Sequence, residues 1–185
     1  MRKQIWDLAD LPPLLVGDNL AFKAEGIQVA QAKIIGAVTY HWGMVGERVA
    51  DDIVSVADYS VFDSTSKGIT AHLLSEYQPR HMRVYRPKMQ PGEQERLKAL
   101  ILKRYYYYGT DLYDWKGVIM VGLWCLLRKL GFKVEWWEHN ASRLYCLEFN
   151  EVVLRPWIHL VSEDEPPYPR NMEQSNKLEL IWGTF

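Results

Sequence analysis

With 185 residues, 48% of them hydrophobic and 24% charged, the chain has ordinary globular composition and enough length to bury a substantial core. A formal net charge of −1 excludes a global attraction to nucleic acid or to an anionic membrane surface. Two cysteines exclude a disulfide scaffold, and the longest apolar run, Gly117 to Leu127, is about half of the ~20 residues a spanning helix needs.

No secretory signal is read in the opening MRKQIWDLADLPPLLVGD, where charge and proline interrupt any apolar run, so the expectation is a protein of the reducing cytoplasm. Residues 1–13 read as a short entry segment ending at Pro12-Pro13. Leu14 to Phe22 predicts a strand punctuated by Gly17-Asp18-Asn19, and Ala24 to Ile35 a helix closed by Gly36. In the strand Ala37 to Val45, strict alternation puts Val38, Tyr40, Trp42 and Met44 on one face, with Thr39, His41, Gly43 and Val45 on the other. Four more short strands follow: Ile53–Val56, Tyr59–Asp63, Gly68–Leu74 and His81–Arg86. Pro91 opens an amphipathic helix carrying Leu97, Leu100, Ile101, Arg104, Tyr105 and Tyr108, ended by Gly109.

Tyr113 to Leu130 is a strongly apolar helix capped by Gly131. Its stretch Val118–Leu127, with Trp115 and Trp124, reads as core, a greasy pocket or interfacial surface being the alternative. Phe132–Trp137 is extended, and a helix follows over Tyr145–Val153, with Ser142 or Asn140 available as N-cap. Leu178–Trp182 predicts a final strand. The whole is one α+β domain over residues 14–160, with a loosely held C-terminal tail over 161–185.

The chemistry centres on Arg143-Leu144-Tyr145-Cys146-Leu147-Glu148. A helix opening presents unpaired N–H groups and a partial positive charge, and both favour thiolate, the nucleophilic form of cysteine. Nucleophilic catalysis also needs an imidazole within reach and a polar group to fix its ring. Of the five histidines, His41 is the best placed, mid-strand beside Gly43; His139 lies in a polar turn. Asp63, at the end of a neighbouring strand, fits the orienting role. Cys125, inside the apolar helix, reads as inert packing. The sequence has no phosphate-cradling glycine loop, no HExxH and no CxxC, and neither a metal site nor a cofactor is expected.

In order, the chain shows Gly17-Asp18, Tyr40-His41-Trp42-Gly43-Met44-Val45, Val61-Phe62-Asp63-Ser64, Lys67-Gly68-Ile69, Val84-Tyr85-Arg86, Tyr108-Gly109-Thr110-Asp111-Leu112-Tyr113-Asp114 and Tyr145-Cys146-Leu147-Glu148. From Gly17 to Leu154 this resembles the circularly permuted branch of the NlpC-type papain-like cysteine peptidases and amidases, the YiiX-like proteins, with lecithin–retinol acyltransferases as distant relatives. The resemblance implies a papain-like antiparallel sheet packed against helices, with the nucleophile at a helix N-terminus. It casts Cys146 as nucleophile, His41 as general base and then acid, and Asp63 as the orienting group. The Cys146 N–H would help hold the oxyanion, while Tyr40, Tyr145, Tyr113 and Asp114 would shape the cleft. The sequence departs from the family at Tyr40 and Leu147, where serine is common, and at Asp63, where glutamate is usual. The expected activity is hydrolysis of an amide or related acyl bond in a peptide, a peptidoglycan fragment or an acyl lipid. Acyltransferase or thioesterase chemistry on the same scaffold, or a catalytically idle binding module, are the alternatives.

Overall fold

The computed structural model describes residues 4–26, 28–49, 58–65, 67–90, 92–108, 114–136, 144–162 and 164–185, and among these lie six strands and five α-helices. In chain order they are β1 (Asn19–Lys23), α1 (Gln28–Ile35), β2 (Thr39–Val49), β3 (Asp58–Thr65), β4 (Gly68–Leu73), β5 (Met82–Pro87), α2 (Glu93–Tyr108), α3 (Trp115–Lys129), α4 (Cys146–Leu154), α5 (Pro169–Glu173) and β6 (Leu178–Gly183). The strands form one sheet in the order β4-β3-β2-β1-β5-β6, and every neighbouring pair is antiparallel. This is the expected α+β class.

Each face of the sheet has its own core. On one, Ala21, Trp42, Met44, Phe62 and Tyr85 pack against Leu97 and Ile101 of α2, Val121 and Trp124 of α3, and Phe149, Val153 and Leu154 of α4. On the other, Leu20, Phe22, Val45, Val61 and Val84 meet Trp6, Leu14, Leu74 and Tyr77. β2 belongs to both, because its aromatic and aliphatic residues alternate over a two-sided sheet. Burial of each such large side chain contributes about 1.5–3 kcal/mol, so the central strands are the rigid part of the molecule.

Two of the sequence motifs meet here. Arg86 on β5 donates from Nε to Asp18 Oδ1 at 2.9 Å and from its terminal nitrogen to Oδ2 at 2.8 Å. Asp18 is buried and also accepts the Leu15 N–H, so this fork ties the loop before β1 to its neighbour strand.

The strict alternation expected for β2 fails at one place. Phe22 pairs with His41 and Lys23 with Thr39, which leaves Tyr40 as an extra residue in a β-bulge. Beyond the bulge the side chains change faces. Thr39 therefore joins Trp42, whose Nε1 donates to its hydroxyl at 3.0 Å, instead of His41.

Other expectations shift at their boundaries. The first strand begins at Asn19 rather than Leu14, and α1 begins at Gln28 rather than Ala24. The helix expected from Tyr113 begins at Trp115, with Asp114 as its N-cap. Residues 132–136 are extended without pairing. The strand expected at 53–56 lies outside the described residues, as do His139, Asn140 and Ser142. The segment 161–185, read as a loose tail, is built into the fold. It carries α5, whose Met172 is fully buried, and the edge strand β6, which pairs with β5. Residues 1–13 are also anchored in part: Trp6 is buried against Trp182 and donates to the Arg80 carbonyl.

Candidate active site

His41 sits near the start of β2, paired with Phe22 across β1. Asp63 lies on β3 opposite Gly43 of β2 and Thr70 of β4. Gly43 makes the carboxylate's approach possible, since a Cβ there would stand 2.9 Å from Val61 Cγ1 and 3.4 Å from Asp63 Cβ. His41 Nε2 lies 2.6 Å from Asp63 Oδ2. The expected base and orienting group are thus in contact.

Asp63 is 1% exposed and is surrounded by donors. Tyr77 donates its phenol hydrogen to Oδ2 at 2.8 Å, and Thr70 donates to Oδ1 at 3.0 Å. The Thr70 oxygen, its own hydrogen committed to Asp63, accepts from His72 Nε2 at 3.0 Å. Burial alone would raise the Asp63 pKa, but the bonds and charge of His41 and the Tyr77 hydroxyl lower it below the ordinary value, keeping the group ionised. Burial beside that carboxylate raises the Tyr77 phenol strongly, so it stays a donor. Tyr77 also stacks on Phe22 at 4.6 Å, and Phe22 stacks on His41 at 5.7 Å. The imidazole is held through its nitrogen and against one face.

Cys146 arrives from the helical layer as the first residue of α4. Tyr145, extended at φ −88° and ψ 170°, is the N-cap, and its N–H donates to the Glu148 carboxylate at 3.2 Å. The described cap is thus Tyr145 itself, held by the Glu148 carboxyl group reaching back from inside the helix. The chain entering this turn is pinned to the sheet, because Ser64 Oγ donates to the Leu144 carbonyl at 2.6 Å. The N–H of Cys146 belongs to the first turn of α4, the positive end of the helix.

His41 and Cys146 both stand in the wall of one cleft, and with Nε2 committed to Asp63, Nδ1 is the ring nitrogen left to serve the thiol. The two residues bring the layers together at the end of the sheet where β2 begins. Burial opposes a charge on His41, yet Asp63 and Cys146 beside it outweigh that and raise the imidazole pKa to about 9. Tyr40 is half-buried beside them; burial first, then charge on Cys146, pushes its phenol up.

Tyr40, His41, Tyr145, Cys146 and Leu147 open onto one cleft of about 380 Å³. The bulge at Tyr40 turns two consecutive β2 side chains toward it, where strict alternation would have sent one away. The start of β2 is braced from α5, where one Glu173 carboxylate oxygen accepts from the Thr39 N–H at 2.8 Å, the Val38 N–H at 3.3 Å and the Thr39 hydroxyl.

Of the other expected cleft residues, Tyr145 lines the space and donates its phenol to the Pro167 carbonyl at 2.8 Å. Asp114 does not line it. It is buried behind, where its carboxylate caps α3 by accepting the Gly117 N–H at 2.9 Å. Burial first, and the Asp114 charge as well, raise the Glu148 pKa to about 8. Tyr113 lies outside the described residues. Leu147 is buried against the cleft, where a serine hydroxyl would have needed a partner.

Tyr77, Thr70, Phe22 and Glu173 carry no local signal of their part in the site. Only the pairing of β3 with β4 could have pointed to Thr70, and Tyr77 closes a 3₁₀ turn over Leu74–Tyr77 with no motif of its own.

No protein-family profile matches the sequence, and no curated protein matches it. The structure is similar to that of the metalloprotein YiiX from Escherichia coli O157:H7, DUF1105. The TM-score is 0.63 at 14% identity, over 92% of this chain and 98% of that one. At that identity the likeness is one of fold. The word metalloprotein belongs to that protein. Among the described residues here, no group of three or more His, Cys, Asp or Glu side chains is arranged to hold a metal ion. No described helix is long and apolar enough to cross a membrane.

Proposed function

We propose that this chain is a papain-like cysteine hydrolase of the permuted NlpC type, cleaving an amide or related acyl bond through an acyl-enzyme on Cys146. The observation that carries the reading is the position of His41, hydrogen-bonded to buried Asp63 and sharing the wall of one cleft with a thiol at the first residue of a helix. A nucleophile, a base and a group that fixes the base are what such chemistry requires.

In the proposed reaction His41 Nδ1 takes the thiol proton and the Cys146 sulfur attacks the carbonyl carbon. The developing oxyanion faces the Cys146 N–H at the positive end of α4. As the C–S bond forms and the C–N or C–O bond breaks, the imidazolium gives its proton to the departing amine or alcohol. Water then loses a proton to His41 and its oxygen attacks the thioester. The C–S bond breaks, the carboxylic acid leaves and the Cys–His pair is restored. Asp63 holds the ring so that Nδ1 faces sulfur throughout, and stabilises the imidazolium that forms twice per cycle.

Capture of the same thioester by an acceptor other than water would make the protein an acyltransferase, with no change in these residues. The test of the reading is the pH dependence of iodoacetamide alkylation at Cys146, followed by mass spectrometry in wild type and His41→Ala. Paired chemistry predicts that wild type is alkylated faster than His41→Ala at neutral pH, with a different pH profile. Identical profiles in both proteins would leave an idle binding module.

A further inference from the structure

Only one oxygen of Asp63 faces His41. The other, Oδ1, accepts from Thr70 at 3.0 Å, and behind Thr70 stands a second imidazole. His72 Nε2 lies 3.0 Å from the Thr70 hydroxyl and 3.9 Å from Oδ1 itself. Thr70 and His72 are alternate residues of β4, so the pleat turns both to one face. His72 has no place in the cleft wall: it stands on an edge strand with its side chain 34% exposed, against 18% for His41.

The hydrogens along this chain depend on the charge of His72. Its other nitrogen, Nδ1, lies 3.3 Å from the carboxylate of Glu76, which also accepts the Leu73 N–H. An imidazolium satisfies both neighbours. Nδ1–H donates to Glu76, Nε2–H donates to Thr70, and the Thr70 hydrogen stays on Asp63. A neutral ring has one hydrogen for two acceptors. Kept on Nε2, it leaves the Nδ1 lone pair against the Glu76 carboxylate. Kept on Nδ1, it makes Nε2 an acceptor, and the Thr70 hydrogen can turn from Asp63 to His72. Loss of one surface proton thus withdraws a positive charge from Asp63, and in the second tautomer a donor as well.

The groups that face His72 come from two neighbours. β3 supplies Asp63, with Val61 directly opposite, and the turn over Leu74–Tyr77 supplies Glu76 and, edge-on at 6.1 Å, Tyr77. α2 packs on the other face of β4, in the core that holds Ile69. Burial raises the Asp63 pKa, and the charge of His72 adds to His41 and Tyr77 in lowering it.

We infer that His72 is a positioning residue for the candidate site: acting through Thr70 on the second oxygen of Asp63, it sets how strongly that carboxylate holds His41, so that the site answers to pH from outside the cleft. The inference rests on the proposed chemistry at Cys146 and adds its regulation. With His72 charged, Asp63 divides its charge between two imidazoles, and the His41 imidazolium that accompanies a Cys146 thiolate is less favoured. With His72 neutral, that charge falls to His41. Acid therefore damps the site over the range in which imidazoles change charge.

The experiment follows both rings by long-range 15N–1H NMR from pH 5 to 9 in wild type, His72→Gln and Thr70→Val. Iodoacetamide alkylation of Cys146 is measured over the same range. His72→Gln keeps a donor for Thr70 without a group that titrates. Thr70→Val keeps a β-branched strand residue and deletes the hydroxyl. In wild type the His41 nitrogens should show an inflection at the pH where the His72 ring titrates. It should vanish in His72→Gln and shrink by about half or more in Thr70→Val. The ratio of the His72→Gln alkylation rate to the wild-type rate should rise about two- to fivefold from pH 8 to pH 5, the effect of one solvated charge near the carboxylate. A purely structural loss would change the rate by the same factor at every pH.

His41 nitrogens that ignore the His72 titration overturn the inference, as does an inflection of full size in Thr70→Val. A flat rate ratio, with alkylation still dependent on His41, overturns it and spares the cysteine chemistry. If the inflection depends on His72 and Thr70 while alkylation is unchanged in His41→Ala, the positioning role stands and the cysteine chemistry falls.

Discussion

Cys125 and Cys146 are buried to similar degrees, 8% and 4% exposed, and both belong to helices packed against the same core. Cys125 lies inside α3, where its N–H is spent on the helix ladder and its neighbours are tryptophan, tyrosine and other apolar groups. Burial, with Glu165 adding to it, pushes that thiol up to about 11. Cys146 occupies the first position of its helix, with an imidazole as its partner and a carboxylate behind the imidazole. Burial does not distinguish the two. The contrast lies in where each falls in its helix and in what the sheet delivers to it, and this separates a packing thiol from a candidate nucleophile.

The largest test of that contrast removes one member of each environment. Cys146→Ala or His41→Ala should lower turnover by a factor on the order of 10³ or more, as loss of a nucleophile or its base does. Cys125→Ala should leave turnover and the alkylation of Cys146 unchanged, at a modest cost in Tm. A catalytic loss in Cys125→Ala would erase the distinction between the two thiols. The effect of Asp63→Asn should be smaller, roughly 10- to 100-fold, because the amide can keep the geometry but not the charge that stabilises the imidazolium. The alkaline limb of kcat/KM, expected near pH 9 from the raised His41 pKa, should move to lower pH in this variant. A limb that stays in place would show that the carboxylate positions the ring without tuning it.

Tyr77→Phe removes one of three donors to Asp63 and should cost about 1 kcal/mol of stability, with a rate loss below about tenfold. A KM change with kcat intact would argue against its acting through His41. The smallest expected effect concerns the turn that presents Cys146. Glu148 titrates near 8 in the folded chain and at its ordinary value near 4.5 when unfolded. The folded state therefore binds the extra proton between those values, and this contribution to stability is complete below 4.5 and lost as pH rises through about 8. Glu148→Gln keeps an acceptor for the Tyr145 N–H and should flatten the fall of Tm between pH 5 and 8. Equal slopes in the two proteins would discount the carboxyl of Glu148 as a titrating group.

The candidate site residues were the most legible part of the sequence. Cys146 before an apolar helical period, His41 beside Gly43, and Asp63 at a strand end each carried a local signal, and their order carried a resemblance. What stayed illegible depends on register. A bulge of one residue at Tyr40 changes which faces Thr39 and Tyr40 take, and nothing in Ala37 to Val45 marks it. Tyr77 and Thr70 reach Asp63 only because β4 and the turn after it fold back onto β3. The stripe on α3 was ambiguous for a different reason. Apolar residues read alike in sequence whether they face a core or an open cleft, and α3 has both.

The brace on β2 has a consequence for the order in which the candidate site is assembled. Glu173 holds the backbone at Thr39, two residues before His41, and β6 adds its strand to β5 only after Leu178 has been made. A ribosome that has delivered Cys146, His41 and Asp63 has not yet delivered the residues that fix the strand bearing the base. The candidate nucleophile is thus synthesised 27 residues before Glu173, so a released chain ending at residue 165 should lose the dependence of Cys146 labelling on His41.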